Sequence, residues 1–244
     1  MTPSGFQSTV TITHISTATA IINIDGIKIL TDPYFSPAGT LADLSHIDGV
    51  LLSHENHDNN LDILDYRILN GRHVLIIKDS AKNLAPRPDI RGLDSWESVI
   101  LVLENKEFTV TRILYRYIPG QEYTGFAIIL ESFGVSSDGL LNTIWFSGDT
   151  VYFNKLKDIR NHWYITAAIL NLGYVHAPGK ILQITQPDSS STDGPIQITM
   201  DSKEGACIFH ELGADILELK VVMEAKGLCN KMCWLAPGVF KRIF

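Results

Sequence analysis

Gly49-Val50-Leu51-Leu52 is an apolar run without alternation, and it empties directly into Ser53-His54-Glu55-Asn56-His57-Asp58-Asn59-Asn60. Absence of alternation is the pattern of a strand covered on both faces, so the chain is committed to layers above and below it. His54 then falls just past a strand's C-terminal end. In open α/β sheets that edge collects ligands, because loops there hold side chains over a rigid scaffold. His54 and His57, with carboxylates beside them, have the composition of a site for a divalent metal that activates water. Asn56 and Asn59 stand in the same packet, and a neutral amide is a poor zinc ligand.

Composition narrows the classes. With 244 residues, 45% of them hydrophobic, the chain can bury a large core in one domain. A net charge of -7 argues against nucleic acid, which needs a basic face to neutralise phosphates. No cationic segment leads into an apolar stretch at the start, and no run of about 18 apolar residues occurs, so no transmembrane segment is expected. Three cysteines, Cys207, Cys229 and Cys233, are too few for a disulfide scaffold and fit a reducing, cytoplasmic compartment.

Along the chain, Thr9 to His14 alternates, and Asp25-Gly26 between Ala20–Ile24 and Ile27–Thr31 predicts a tight hairpin. Leu61, Leu64, Ile68 and Leu69 have helical spacing and predict a helix over 60–70. A strand is expected over 74–77 and a short helix over 79–84. Four runs at 99–103, 107–113, 125–131 and 143–147 read as a meander. A helix is expected over 152–160, a buried strand over 166–172, a helix over 201–212 capped by Asp201, and a last strand over 215–222. Residues 187–195 are rich in turn formers. From Glu218 onward five basic residues face two acidic ones, a net +3.

Six segments together resemble the metallo-β-lactamase superfamily in order and spacing. They are Thr13-His14-Ile15-Ser16-Thr17-Ala18-Thr19, Thr31-Asp32-Pro33, Leu52-Ser53-His54, Asn60-Leu61-Asp62, Phe146-Ser147-Gly148-Asp149-Thr150 and Asn171-Leu172-Gly173. Within it the chain looks most like the branch of the ascorbate-phosphate lactonase and the N-acyl-phosphatidylethanolamine phospholipase D. The resemblance covers residues 9–217. It implies an α/β fold, a four-layer αββα sandwich of two mixed sheets with helices outside, and a metal site at one edge between the sheets. Residues 1–217 would then be a single domain and 218–244 a divergent tail. The implied chemistry is metal-assisted hydrolysis of an ester, lactone, amide or phosphodiester in a small molecule.

Residue by residue, the chain departs from the family. The usual loop, His-x-His-x-Asp-His, is here His54, Asn56, Asp58 and Asn59, with His57 between the common positions. Tyr117 stands where a further histidine ligand is expected, and no histidine follows His210. Asp149 matches the bridging aspartate. The resemblance therefore implies one metal ion at most, zinc with manganese or iron as alternatives, held by His54, His57 and Asp149, with Asp58 and Asp149 as catalytic acids. Asp32, Asn56, Asn59, Tyr117 and His176 are candidates for supporting or degenerate ligand positions. Structural readings stand beside these: Asp149 as a cap for the helix near Tyr152, Asp32 as a turn residue before Pro33, and His14 bonded within the first strand region. His46, His73, His162 and His210 carry no spacing signal and read as surface or helix residues. Three functions stay open: a hydrolase with a reduced site, a non-catalytic relative that keeps the fold as a binding module, and an active hydrolase whose C-terminus here reflects a splicing or gene-model error.

Overall fold

The computed structural model describes residues 5–35, 46–55, 65–114, 124–174, 176–177, 196–212 and 240–242. Strands β1 (Val10–Ser16), β2 (Thr19–Ile24) and β3 (Ile27–Thr31) form an antiparallel ribbon. Asp25 (φ 53°) and Gly26 (φ 95°) make the tight turn expected of that pair. β4 (Gly49–Leu51), β5 (His73–Ile77) and β6 (Ile90–Leu93) add in parallel to β3. A meander of β7 (Ser98–Leu103), β8 (Lys106–Leu114), β9 (Thr124–Leu130) and β10 (Asn142–Phe146) follows, and β11 (Tyr164–Ile169) joins β10 in parallel. β12 (His176–Ala177) and β13 (Ile196–Gln197) make a small ribbon, and β14 (Phe240–Arg242) returns antiparallel to β1. The two main sheets run β14-β1-β2-β3-β4-β5-β6 and β11-β10-β9-β8-β7, and both are mixed.

Three hydrophobic clusters correspond to three interfaces between layers. Between the sheets lie Ile22, Ile24, Leu51, Leu75, Phe108, Phe126 and Phe146. The outer face of the first sheet, with Leu30, Val50, Val74 and Ile76, is covered by Leu84 of helix α1 (Lys78–Leu84) and by Ile68 and Leu69 of a 3-10 turn at Asp65–Leu69. The outer face of the second, with Ala127, Trp145 and Ala168, is covered by Ile208 and Leu212 of α2 (Ser202–Leu212) and by Leu156 and Ile159 of a 3-10 helix at Asn154–Asn161. The result is the four-layer sandwich, with thin helical layers. β4, β9 and β10 are buried at every position, which for β4 is why it reads as an apolar run without alternation.

Some boundaries differ from expectation. Residues 154–161 are 3-10 rather than α-helical, and 65–69 likewise; residues 60–64, 187–195 and 215–222 lie outside the described residues. β6 was not foreseen: Ile90-Arg91-Gly92-Leu93 is an edge strand with only Leu93 buried, so it carries no periodic apolar signal. β14 falls in the basic tail. Asp201 does cap α2, its Oδ1 accepting from the N–H groups of Lys203 (2.8 Å) and Glu204 (2.7 Å), while Glu204 returns the bond to the Asp201 N–H at 3.0 Å. No helix among the described residues is long and apolar enough to cross a membrane.

The hairpin turns of the two sheets are tied by Asp25, which accepts from the Thr9 N–H at 2.7 Å and the Lys106 ammonium at 2.8 Å. Partial burial alone would raise its pKa, but these donors outweigh burial and hold the carboxyl below 3.8. A depressed carboxylate stabilises the fold fully above its unfolded value, and that contribution is lost as pH falls through the lower folded value. Asp25→Asn should therefore lose about 0.5–1 kcal/mol at neutral pH. The loss should shrink as wild-type protein is titrated below about pH 4, checked by denaturant midpoints across that range.

Candidate metal centre

Three strand ends build the site. Asp32 follows β3, Ser53 and His54 follow β4, and Gly148 and Asp149 follow β10. The first two come from one sheet and the third from the other, so the loop after β10 has to reach across. Gly148 permits it: φ is +57°, and a Cβ there would lie 2.3 Å from the Thr124 carbonyl oxygen and 2.7 Å from the Ser53 Cβ. The two loops press on each other at the one residue without a side chain.

The contact seats His54 and Asp149 face to face. Nε2 of His54 is 4.0 Å from Oδ2 of Asp149, and each side chain is only 1% exposed. That spacing is too long for a hydrogen bond. It lies within the ~4.2 Å that one ion bonded at about 2.1 Å to each atom can span.

Neighbours fix the presentation of both groups. The Asp32 carboxylate, fully buried, accepts from the Ser53 N–H at 2.6 Å and the Ser53 hydroxyl at 2.8 Å. Ser53 Oγ is also 2.9 Å from Nδ1 of His54. A hydroxyl has one proton, and Asp32 takes it, so Ser53 accepts from His54 and a proton sits on Nδ1. Nε2 is then the ring atom that faces Asp149. On the other side, the Asn171 amide donates to Oδ1 of Asp149 at 2.5 Å, which leaves Oδ2 aimed at His54. A cation placed between that nitrogen and the carboxylate would be held by both. The donor set, one imidazole nitrogen and one carboxylate oxygen, fits zinc, manganese or iron.

Asp149 does not cap a helix: the nearest one begins at Asn154, with Phe153 at its cap and no side-chain cap bond. Asp32, read from sequence as either a turn residue or a supporting group, has φ 34° and binds the residue next to His54. His14 bonds within its own hairpin, Nε2 being 3.1 Å from the Thr17 carbonyl oxygen. His176 is exposed on β12, its ring against that of Tyr174. Asn56, His57, Asp58, Asn59 and Tyr117 lie outside the described residues. Ser53 and Asn171 stand within the resembling segments but carry no sequence signal of a role of their own beyond, for Ser53, a hydroxyl directly before the histidine. Two surface cavities, of about 300 and 460 Å³, are lined by other residues.

No protein-family model matches the chain, and no curated protein matches it. Solved structures do. A metallo hydrolase, Igni18 from the archaeon Ignicoccus hospitalis, superposes with a TM-score of 0.70 at 17% identity, covering 97% of this chain and 99% of its own. An isothiocyanate hydrolase from Delia radicum gut bacteria gives 0.67 at 17% identity over 95% and 98%. The metallo-β-lactamase fold protein YhfI from Bacillus subtilis gives 0.59 at 17% identity over 95% and 99%. At such identities the likeness establishes the fold, which is the metallo-β-lactamase fold.

Proposed function

We propose that this chain, with its metallo-β-lactamase fold, is a metal-dependent hydrolase with a reduced site that holds one ion, zinc in the first instance, through His54, Asp149 and His57. The reading is carried by the buried His54–Asp149 pair, 4.0 Å apart, with the imidazole proton on the far nitrogen. When bound, such an ion supplies Lewis acidity and brings the pKa of water to about 7. The chain's own residues do the positioning: Asp32 orders Ser53, Ser53 orders the His54 ring, and Asn171 orders Asp149. Asp149 and Asp58 are the acids proposed to orient water and manage its proton. The substrate class proposed is a small ester, lactone or phosphodiester. Three cysteines suit a cytoplasmic setting.

The non-catalytic alternative draws on Asn56, Asn59 and Tyr117, which stand where ligands are common in the family. Elemental analysis of the purified full chain separates the two. About one equivalent of zinc, manganese or iron that His54→Ala removes is expected after exhaustive dialysis; less than about a tenth of an equivalent lost on that substitution, before and after reconstitution, would sink the hydrolase reading.

A further inference from the structure

At the opposite end of β4 from His54, a second group of ligating side chains converges. We infer that His46, Asp48 and Glu104 form a separate divalent-cation site that clamps the β7–β8 turn to the start of the first sheet. Their ligand atoms all lie within 4.8 Å of one another. His46 Nε2 is 3.0 Å from Oδ1 of Asp48. The inference does not depend on metal binding at His54.

The site joins two places that the fold brings together, the His46–Asp48 segment before β4 and the β7–β8 turn. Asp48 is fixed: its side chain is 8% exposed, and Oδ2 accepts the Lys28 N–H at 2.8 Å, which leaves Oδ1 directed at His46. Glu104 arrives on the β7–β8 turn. Leu103, just before it, packs onto Gly49, where a Cβ would meet its Cδ1 at 3.3 Å, so the residue after Asp48 is trimmed to admit the hairpin. Glu104 (φ 45°) and Asn105 (φ 64°) form the tight turn. Glycine, asparagine and aspartate are the residues that favour the first of those positions. A glutamate there gains nothing locally and brings a carboxylate over Asp48.

A cavity of about 300 Å³ opens at this place, lined also by Arg72 and His73. The Arg72 guanidinium is turned to carbonyl oxygens, those of Ile68 at 2.7 Å and Ile47 at 3.2 Å, and buttresses the main chain. Two carboxylates and one imidazole, open to water, give an N/O donor set that favours manganese, zinc, cobalt or nickel over soft thiophilic ions. His46 and Glu104 are both exposed, so their side chains can close from these spacings to bonding distance by rotamer change.

Manganese is the probe of choice, because it discriminates against the thiolates of Cys207, Cys229 and Cys233. The full-length wild-type protein is titrated with Mn2+ while amide NMR signals are followed. Saturable broadening of Gly49 and Asn105 is expected, read separately from any broadening of Ser53 and Gly148, which reports on the other centre. His46→Ala and Glu104→Gln, both at exposed positions, should each weaken the Gly49 and Asn105 response about tenfold or more, with unchanged melting of the apo protein. Absence of saturable broadening at Gly49 and Asn105, or an identical response in both variants, overturns the assignment.

Discussion

Gly148→Ala is expected to cost about 3 kcal/mol or more of stability and to remove metal binding with it. Two penalties combine. The left-handed backbone at φ +57° costs a residue with a Cβ about 1–2 kcal/mol. The added methyl would then sit 2.3 Å from the Thr124 carbonyl oxygen, a backbone atom, and 2.7 Å from Ser53 Cβ, so strand ends of both sheets must move apart. That movement separates Asp149 from His54, because Gly148 and Ser53 directly precede them. Gly26→Ala is the control. Its φ is +95°, yet a Cβ there meets nothing within 4 Å, so it should cost about 1 kcal/mol and leave metal affinity unchanged. Denaturant melts and metal titration of both variants provide the check. Equal costs for the two would refute the claim that the β4 and β10 loops are wedged together at Gly148.

Much of the fold was legible because its strands are of two readable kinds. β7 alternates strictly, with Val99, Leu101 and Leu103 inward, while β4 is apolar throughout because both faces are covered. The Asp25-Gly26 hairpin and the Asp201 cap are local chemistry that needs no tertiary context. β6 was illegible for the converse reason: a half-exposed edge strand held by pairing to β5 has no periodicity to read. The 3-10 turns at 65–69 and 154–161 have helical spacing of apolar residues, and only packing decides which helix they adopt.

The candidate site divides in the same way. His54 and Asp149 were marked by their place after apolar strands, a one-dimensional signal. That they stand 4.0 Å apart depends on two sheets closing through Gly148, which no spacing along the chain conveys. Asp32 looked like a turn residue because Asp-Pro is common in turns; its bonds to Ser53 span 21 positions. His46 carried no signal at all, since Glu104, which lies against it, is 58 positions further along.

Asp149→Asn should separate structural pairing from ligation, because the cost of lost ligation appears only with metal. The pair is buried to 1% exposure. An amide oxygen can still accept from Asn171, so the apo variant should melt within about 1 kcal/mol of wild type. With metal present a gap should open. Loss of the anionic ligand should weaken zinc about 100-fold or more, removing about 3 kcal/mol of linked stabilisation at saturating metal. His54→Ala should abolish binding to the same degree and also lower apo stability, since a buried cavity replaces the ring. Asp32→Asn puts an amide where the Ser53 hydroxyl needs an acceptor and so loosens the proton order on the His54 ring; a loss of about 10–100-fold is expected. Thermal melts with and without added zinc, alongside equilibrium dialysis, measure all three. An Asp149→Asn variant that is destabilised without metal and binds zinc as tightly as wild type would mean that the two groups are a structural pair, and the fold would then be carrying its metal elsewhere or none.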